Sequence, residues 1–448
     1  MVRYSFGRLF SRRGVAAWAA TAIVLACQSV GQAQVIQRQV AGVFIDPLGM
    51  VGLMDLDETL QLAGKRRQNA QPIPGDMEQM SELRKVSLRR LEEAILECKA
   101  HNKPIPDDIK YLAGLQGIKY VFVYPDQQDI VLVGPGEGWK INEQGEAVGK
   151  TTGKPVMLLD DLLVALRSAQ QARQEGISCS INPTQEGLVK LRAAAKSLQK
   201  GPNVVNLIEE TLGMQTISVT GLPTDSHFAA VLVAADYKMK RLAMGFDESP
   251  VRGMPSYMQM IGTRVNSNML PRWWLAPNYD ALLADADGLA FEFRAAGVKC
   301  VAEEDHLTST GSLQRQSKQS GPIKKWADTM TAKYEELSSK EAIFGQLRNC
   351  IDMAVVAALI SKQGLEERAG HRFTILTDGA ELPTDRYNSP KQVPSKATVT
   401  EKRGAWLISA SGGVQIESWT LADNAEQSES LAPVRKQAET ASKTWWWN

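Results

Sequence analysis

The chain has 448 residues, of which 44% are hydrophobic and 23% are charged, and its formal net charge at pH 7 is only +1. A chain of this length and apolar content can bury sizeable cores in two or three domains. The balanced charge forms no long basic face, which argues against nucleic acid as a partner.

Residues 1–33 have the pattern of an export signal. Four arginines precede the apolar run Val15–Ala26, and small residues offer a cleavage site between Ala33 and Gln34. We therefore expect the protein to be exported to the periplasm or the extracellular space. The mature chain would have 415 residues and be close to neutral or slightly acidic.

Other interpretations of this N-terminal segment stay open. Ser11–Ala16 fits a twin-arginine export signal, although several arginines are also typical of an ordinary signal peptide. Val24–Cys27 is similar to a lipoprotein cleavage box, in which Cys27 would carry the lipid. A retained anchor is disfavoured because the apolar run has 12 residues, whereas a bilayer span needs about 20. No later segment is read as a transmembrane segment, being too short or too polar to span a bilayer.

Residues 34–75 are predicted to be weakly ordered, with a short strand at Val40–Ile45 and a polar linker at Lys65–Pro74. Helical spacing is predicted from Asp76 to Ala100. Its apolar stripe is formed by Leu88, Leu91, Ile95 and Cys98.

A first α+β domain is predicted over residues 76–200. Ile118–Tyr124 and Asp129–Val133 are rich in β-branched and aromatic residues and predict a hairpin. Leu158–Arg173 predicts a helix and Ile177–Ile181 a strand.

A second α+β domain is predicted over residues 201–420. Ser226–Met244 predicts a buried helix because a strand of that length would be abnormal. Met254–Asn278 is expected to be irregular, and Leu289–Arg294 with Val298–Glu303 is expected to form a hairpin. Ala342–Lys362 is apolar nearly all round, which predicts a helix at the centre of a core.

The C-terminal part is predicted to contain one more hairpin, Trp406–Ala410 with Val414–Trp419. Residues 421–448 are predicted to be a disordered tail apart from Trp445–Trp447, which would suit docking against a partner or a membrane interface. The predicted fold class is α+β (mixed α/β), with two compact units and a flexible C-terminal tail.

Four cysteines follow the signal: Cys98, Cys179, Cys300 and Cys350. In an oxidising compartment an even number permits two disulfides, with three possible connectivities. Buried thiols are the alternative. The wide spacing lacks the Cys-x-x-Cys pairs of a structural zinc site.

Short motifs spread along the chain resemble a known family: exported planctomycete proteins of the domain of unknown function 1598. The resemblance covers roughly residues 76–420. It implies an exported bacterial protein and carries no activity, cofactor or functional residue. The motifs are Leu83–Leu91, Tyr111–Gln116, Tyr120–Pro125, Gly138–Trp139, Leu159–Leu163, Ala235–Lys240 and Phe344–Asn349.

Charged and aromatic residues of the second domain form the best candidate site. Asp236 and Lys240 lie one helical turn apart in an apolar helix, so an ion pair explains both. Alternatively, they could border a pocket for an anionic ligand with Lys238, Arg241 and His227. Aromatic stacking against a glycan or another ring-bearing ligand could then come from a nearby group: Arg272, Trp273, Trp274 and Tyr279.

Other motifs give little support to catalysis, a metal or a cofactor. Asp225-Ser226-His227 contains the residue types of a serine hydrolase, but adjacent side chains on a helix diverge and a helix N-cap explains them. Asp285–Gly288 has the wrong flanking residues for an EF-hand. The four histidines lack metal-site spacing.

Two classes of function stay open. The first is a non-catalytic envelope protein that binds an unknown protein or a glycan. The second is an extracytoplasmic hydrolase or transferase that uses carboxylates assembled by the fold, such as Asp160, Asp161 and Asp236. A cleft position for Asp236 beside another carboxylate would favour the enzyme, and an ion pair with Lys240 in the core would count against it.

Overall fold

The fold is built around one long apolar helix, Ala342–Gln363. Among the described residues, it alone is long and apolar enough to cross a membrane by length and composition. Its most apolar stretch is 94% buried inside the protein, so packing accounts for that composition. We expected every later segment to be too short or too polar to span a bilayer, and this helix does not meet that expectation. The prediction of a helix at the centre of a core is confirmed.

The computed structural model describes residues 39–195, 203–261, 269–294, 297–307, 313–315, 321–399, 406–407, 410–423, 425–439 and 446–447. The predicted export signal, the cleavage site at Ala33 and Gln34, and the alternative lipidation site Cys27 lie outside these residues. The helices are α1 Leu56–Asn69, α2 Leu88–Ala100, α3 Asp107–Lys110, α4 Leu159–Glu175, α5 Gln185–Ala195, α6 Val204–Leu212, α7 His227–Met244, α8 Tyr257–Ile261, α9 Gly321–Ala332, α10 Tyr334–Lys340, α11 Ala342–Gln363, α12 Leu365–Ala369, α13 Thr374–Thr377, α14 Ser418–Asp423 and α15 Leu431–Ala438. The strands are β1 Gln39–Val40, β2 Val43–Ile45, β3 Val51–Leu53, β4 Ser81–Ser87, β5 Tyr120–Tyr124, β6 Asp129–Gly136, β7 Trp139–Ile141, β8 Ala147–Gly149, β9 Ile177–Pro183, β10 Met214–Thr220, β11 Met269–Asn278, β12 Leu282–Ala284, β13 Ala290–Glu292, β14 Gly297–Leu307, β15 Leu313–Arg315, β16 Gln392–Pro394, β17 Thr398–Val399, β18 Trp406–Leu407, β19 Ser411–Ile416 and β20 Ala425–Gln427.

The large sheet has the strand order β15-β14-β11-β19-β9-β10-β16, and β18 pairs with both β11 and β17. Strand β11 is antiparallel to β14 and parallel to β19, and β19 is antiparallel to β9. Helix α7 packs on β9 and β19, and α11 packs on α4 and α7. We call the sheet face toward α7 the inner face and the opposite one the outer face.

The second sheet has the strand order β20-β12-β13-β5-β6-β4. The predicted hairpin is confirmed as β5 and β6, with Tyr124 opposite Asp129. The predicted helix from Asp76 is wrong in its first half, because Ser81–Ser87 pairs with β6 as a strand. Helix α2 begins after Ser87, whose hydroxyl accepts a hydrogen bond from the Arg90 amide at 3.0 Å.

Helix α7 matches the predicted buried helix closely. Ser226 is its N-cap, since the hydroxyl accepts a hydrogen bond from the Ala229 amide at 3.1 Å. Gly245 ends it in the left-handed conformation, with φ of 74°. Nearly all side chains of α7 are buried between the large sheet and α11.

The α+β class is confirmed, but strand pairing crosses the predicted domain boundary at residue 200. Strand β9 pairs with β10, and β13 pairs with β5, so residues on both sides of the boundary share both sheets. Residues 37–448 group as one compact unit. The predicted division into residues 76–200 and 201–420 therefore does not coincide with a gap between the sheets.

Two predicted hairpins are wrong because their strands pair elsewhere. Ala290–Glu292 joins the second sheet, whereas Gly297–Leu307 joins the large sheet beside β11. Ser411–Ile416 pairs with β9 and β11, and Trp406–Leu407 pairs with β17 and β11. Strand β11 itself occupies part of the segment that was expected to be irregular.

The predicted weakly ordered and disordered ends contain regular structure. Between residues 39 and 75, β1, β2 and β3 form a small sheet followed by α1. In the predicted tail, β20 pairs with β12 and α15 buries Leu431. The Trp446 carbonyl accepts a hydrogen bond from the Ser87 amide at 2.9 Å, so this tryptophan segment contacts its own chain.

The four cysteines are free thiols in the structure, which supports the buried-thiol alternative over two disulfides. Cys98 lies in α2, Cys179 in β9, Cys300 in β14 and Cys350 in α11. All are buried except Cys98, which is partly buried. Burial raises the pKa of the Cys179 and Cys350 thiols, which keeps them protonated and unreactive.

Candidate functional site

His227 and Asp161 form a buried pair where two helices begin. Nδ1 of His227 lies 2.9 Å from both carboxylate oxygens of Asp161 in the first turn of α4. Burial alone would lower the pKa of His227, but the Asp161 carboxylate raises it above its ordinary value. The Tyr387 ring packs edge-on against the imidazole, with 5.2 Å between centroids.

Asp160, the neighbour of Asp161, has a pKa that is raised toward neutrality. Burial, together with the nearby Asp385 and Asp161, raises the pKa of Asp160 to about 6. One oxygen of Asp160 accepts a hydrogen bond from the Asp385 amide at 3.1 Å. The structure thus brings Asp160, Asp161 and His227 together, beneath the segment that contains Asp385 and Tyr387.

This cluster is held by its own structural contacts. The Tyr387 amide donates to the Asp225 carbonyl at 2.8 Å, which ties the covering segment to the residues before α7. None of the three cavities described below is lined by Asp160, Asp161 or His227. The cluster therefore joins the first turns of α4 and α7 to the covering segment.

Asp236 and Lys240 form the ion pair predicted from their spacing. Nζ of Lys240 lies 2.8 Å from Asp236 Oδ2 and also donates to the carbonyls of Ile181 and Gly412, at 3.1 and 3.3 Å. Both side chains are buried, and burial raises the pKa of Asp236 and lowers that of Lys240. This position in the core counts against Asp236 as a catalytic carboxylate.

The predicted pocket for an anionic ligand is not formed by these cations. Arg241 is held by Asp247 through hydrogen bonds of 2.7 to 3.0 Å, and Lys238 lies 3.4 Å from the same carboxylate. A cavity beside Lys240 and Arg241 has a volume of about 30 Å³. That volume holds one water rather than a ligand.

Arg272, Trp273 and Trp274 alternate between the two faces of β11, because successive side chains on a strand point in opposite directions. Trp273 is on the inner face, fully buried, with its ring 5.1 Å from Tyr257 and 4.9 Å from Trp326. It is therefore a core residue and the prediction that it stacks on a ligand is wrong.

Tyr279 also packs against the core. Its hydroxyl donates a hydrogen bond to Asp352 of α11, and the same carboxylate accepts the Ile118 amide at 2.9 Å. Burial and the Asp352 charge raise the pKa of Tyr279 well above its usual range. The predicted stacking role for Tyr279 is therefore not supported.

Trp274 lies on the outer face and is partly exposed. Its indole nitrogen donates to Glu303 Oε2 at 3.2 Å, and the Arg272 guanidinium lies 5.5 Å from the centre of its ring. The cross-strand neighbours of Trp274 are Val301 on β14 and Gly413 on β19. The ring is thus fixed in place on an accessible surface.

A cavity of about 290 Å³ lies beside Trp274 on the outer face. Trp274, Ala276 and Val301 form its apolar floor. The sequence analysis did not identify the polar residues that line this cavity. Once β11 and β14 are known to be strands, the alternation of their side chains between the two faces identifies the polar residues that these strands contribute. The polar residues are Lys299, Glu303, Gln415, Glu417 and Thr420.

A second cavity, of about 490 Å³, lies between α15 and the start of the turn after β5. Its aromatic residue, Tyr124, donates its hydroxyl hydrogen bond to the Arg435 carbonyl at 2.8 Å, and Arg435 in turn donates to the Val123 carbonyl. These contacts fasten α15 to the sheet. We therefore take the Trp274 cavity, with its exposed aromatic floor, as the candidate site.

Metal binding has no preformed site among the described residues. No group of three or more histidine, cysteine, aspartate or glutamate side chains is arranged to hold an ion in that part of the chain.

Comparison with known proteins finds one family. The family model "Protein of unknown function (DUF1598)" matches residues 179–257, which confirms the family resemblance over that part of the chain. The match begins within β9, ends at the first residue of α8 and includes Asp236 and Lys240, whereas Trp274 lies outside it. No curated protein and no solved structure matches the chain.

Replacing Lys240 should be strongly destabilising. In Lys240→Met the buried Asp236 carboxylate loses its cation, and we expect the free energy of unfolding to fall by about 3–5 kcal/mol in urea denaturation. The double variant Asp236→Leu/Lys240→Met removes both charges and should lose less than the single variant.

Lys324→Met is the matched control, because Lys324 pairs with Asp328 at the same i,i+4 spacing on the surface. Its loss should stay within about 0.5 kcal/mol. Equal losses for Lys240→Met and Lys324→Met would contradict the structural role of the buried pair.

Asp160 should make stability depend on pH. The folded-state pKa of about 6 lies above the ordinary value of 3.8, so the stability that the bound proton gives is present below about pH 4 and is lost as pH rises through 6. Asp160→Asn stays neutral and keeps an acceptor for the Asp385 amide. We expect its stability relative to the wild type to rise between about pH 4 and 6 and then to level off, as measured by urea denaturation at each pH.

The raised pKa of His227 changes stability in the same direction, because its contribution is lost as pH rises above about 6.5. The wild type and Asp160→Asn both contain His227, so most of this contribution cancels in their difference. Asp57→Asn, at an exposed aspartate in the first turn of α1, is the control and should show no comparable rise. If the difference in unfolding free energy between Asp160→Asn and the wild type does not change with pH, the raised pKa of Asp160 is contradicted.

Proposed function

We propose that this protein is an exported, non-catalytic binding protein of the cell envelope and that its ligand is a glycan held at Trp274. Export is supported by the sequence of residues 1–33, with arginines before an apolar run. The binding role is supported by one observation above the others, the accessible Trp274 ring beside a cavity of about 290 Å³.

The composition of this cavity suits a sugar. An indole face offers an apolar surface for the C–H groups of a sugar ring, and nearby polar groups can fix its hydroxyls. Glu417 Oε1 accepts a hydrogen bond from Gln415 at 2.8 Å, and Glu303 accepts one from Trp274, so both carboxylates are already positioned. Acidic and basic side chains, Glu303, Glu417 and Lys299, occur together, which favours a ligand without strong net charge.

The positions of the candidate catalytic carboxylates support binding without catalysis. Asp236 is paired with Lys240 in the core. Asp161 is paired with His227, and Asp160 lies under the segment that contains Asp385.

The alternative of a hydrolase or transferase rests on Asp160. A carboxyl with a pKa of about 6 beside a second carboxylate is the pattern of a glycosidase acid. Asp160 and Asp161 are adjacent in α4, however, so their side chains diverge rather than face each other across a substrate. Release of reducing ends from a glycan by the wild type, lost in Asp160→Asn, would favour this alternative.

Export predicts a defined mature chain. Protein recovered from an envelope fraction should have the intact mass of a chain beginning at Gln34, because the signal is removed during translocation. A lipidated chain beginning at Cys27 would identify the lipoprotein route, and a chain that still begins at Met1 would contradict cleavage of an export signal.

Trp274→Ala should abolish most glycan binding. We propose calorimetric titration with neutral hexasaccharides of glucose, N-acetylglucosamine, xylose and mannose. For any sugar that binds, loss of the ring should weaken affinity by about 30-fold, as for a central aromatic anchor worth about 2 kcal/mol. Trp274→Phe keeps an aromatic face and should retain most of the affinity.

Phe246→Ala is the control, because Phe246 is an exposed aromatic residue just after the end of α7, away from the outer face. It should bind as the wild type does. Absence of binding to every sugar, or equal affinity in Trp274→Ala and the wild type, would overturn the proposed site.

A further inference from the structure

The outer face continues beyond the cavity as rows of hydroxyl and amide side chains on β9 and β10. Alternation along the strands puts every second residue on this face. The residues concerned are Ser178, Ser180, Asn182, Thr216, Ser218 and Thr220. All are exposed or partly exposed, and none carries a charge.

The strand register aligns one such row with Trp274. Ser218 lies opposite Ser180, Ser180 opposite Gly413, Gly413 opposite Trp274 and Trp274 opposite Val301. The row crosses β10, β9, β19, β11 and β14. Four spacings between strands make it about 19 Å long.

Gly413, in the middle of this row, is a buried glycine. It contributes no side chain between Ser180 and Trp274, and a Cβ added there would lie 1.8 Å from the Cys179 carbonyl oxygen. Only glycine is therefore accommodated at this position, and β19 contributes no side chain between Ser180 and Trp274.

A parallel row runs beside the first. Thr220 lies opposite Ser178, and Ser178 lies opposite Gln415, which lines the Trp274 cavity. The hydroxyls of Ser178 and Thr220 are 2.9 Å apart. This second row, in which Thr220, Ser178 and Gln415 are all exposed or partly exposed, is thus continuous with the cavity.

We infer that this surface is an extended binding track for a linear, neutral glycan chain, which lies across the strands with one end on Trp274. This inference rests on the proposed function. Hydroxyl groups both donate and accept hydrogen bonds, as sugar hydroxyls do, and the uncharged rows match a ligand without charge. An extended peptide is a poorer match, because it pairs with the edge of a sheet rather than lying across its face.

The test is the dependence of affinity on chain length. Calorimetric titrations would use the sugar series that binds best in the panel above, for example cello-oligosaccharides of one to six units. For the wild type we expect affinity to rise at least tenfold from the disaccharide to the hexasaccharide, because the longer chain reaches Ser180 and Ser218.

The double variant Ser180→Ala/Ser218→Ala removes two hydroxyls from the row. It should bind the disaccharide as the wild type does and lose most of the gain for the hexasaccharide. Ser428→Ala/Ser430→Ala is the matched control, since these serines contact each other after β20, outside the large sheet. It should keep the full gain.

The possible failures are distinguishable. Equal wild-type affinity for the disaccharide and the hexasaccharide would overturn the track and leave the Trp274 site standing. A gain with length that survives in Ser180→Ala/Ser218→Ala would also overturn it, because the added sugars would lie elsewhere. Absence of binding at every length would overturn the proposed function itself.

Discussion

A single buried ammonium group holds helix α7 to the large sheet. Lys240 reaches Asp236 on its own helix, the Ile181 carbonyl of β9 and the Gly412 carbonyl of β19. An ammonium group has three protons, and each has a partner here. Because burial disfavours both charges of the pair, each is tolerated only opposite the other. The helix and two strands are therefore joined by the three hydrogen bonds of one ammonium group.

The strand that accepts this hydrogen bond also helps to determine which tryptophan of β11 lies on the outer face. Gly412, whose carbonyl accepts from Lys240, has a φ of 115°, and a Cβ added to it would lie 1.9 Å from the Trp273 carbonyl oxygen. Strand β19 thus packs tightly against β11 at the point where Trp273 enters the core and Trp274 leaves it. A shift of one residue in this register would exchange the two rings. The core ion pair and the exposed indole therefore both depend on the pairing of β19 with β11 at Gly412 and Gly413.

Local patterns in the sequence were sufficient for parts of this fold. The i,i+4 spacing predicted the Asp236–Lys240 pair, and the apolar run ending at Gly245 predicted α7. Strand β11 was missed because it contains Pro271 and Pro277, which lack an amide for the ladder and usually argue against an inner strand.

The false hairpin around Gly297 has a different cause. The segments on either side have strand-like composition, but they do not pair with each other. Strand β13 pairs with β12 and with β5, which lies more than a hundred residues earlier, and β14 pairs with β11 and β15. Composition predicts that a segment is extended and does not identify the strand with which it pairs. For the same reason the sequence identified Trp274 as a candidate but did not show that Trp274 is exposed while Trp273 is buried. It also did not show that Ser180 and Ser218 lie on the same sheet face as Trp274.

The tryptophan segment near the C-terminus affects the outermost strand of the second sheet. Strand β4 has β6 on one side only, and an open edge of this kind invites pairing with another chain. Trp446 accepts a hydrogen bond from Ser87, Trp447 forms a bridge with Val86, and its ring lies 5.5 Å from the Arg84 guanidinium. The backbone of Trp446 and Trp447 therefore occupies part of this edge, which leaves fewer backbone groups of β4 free to pair with another chain.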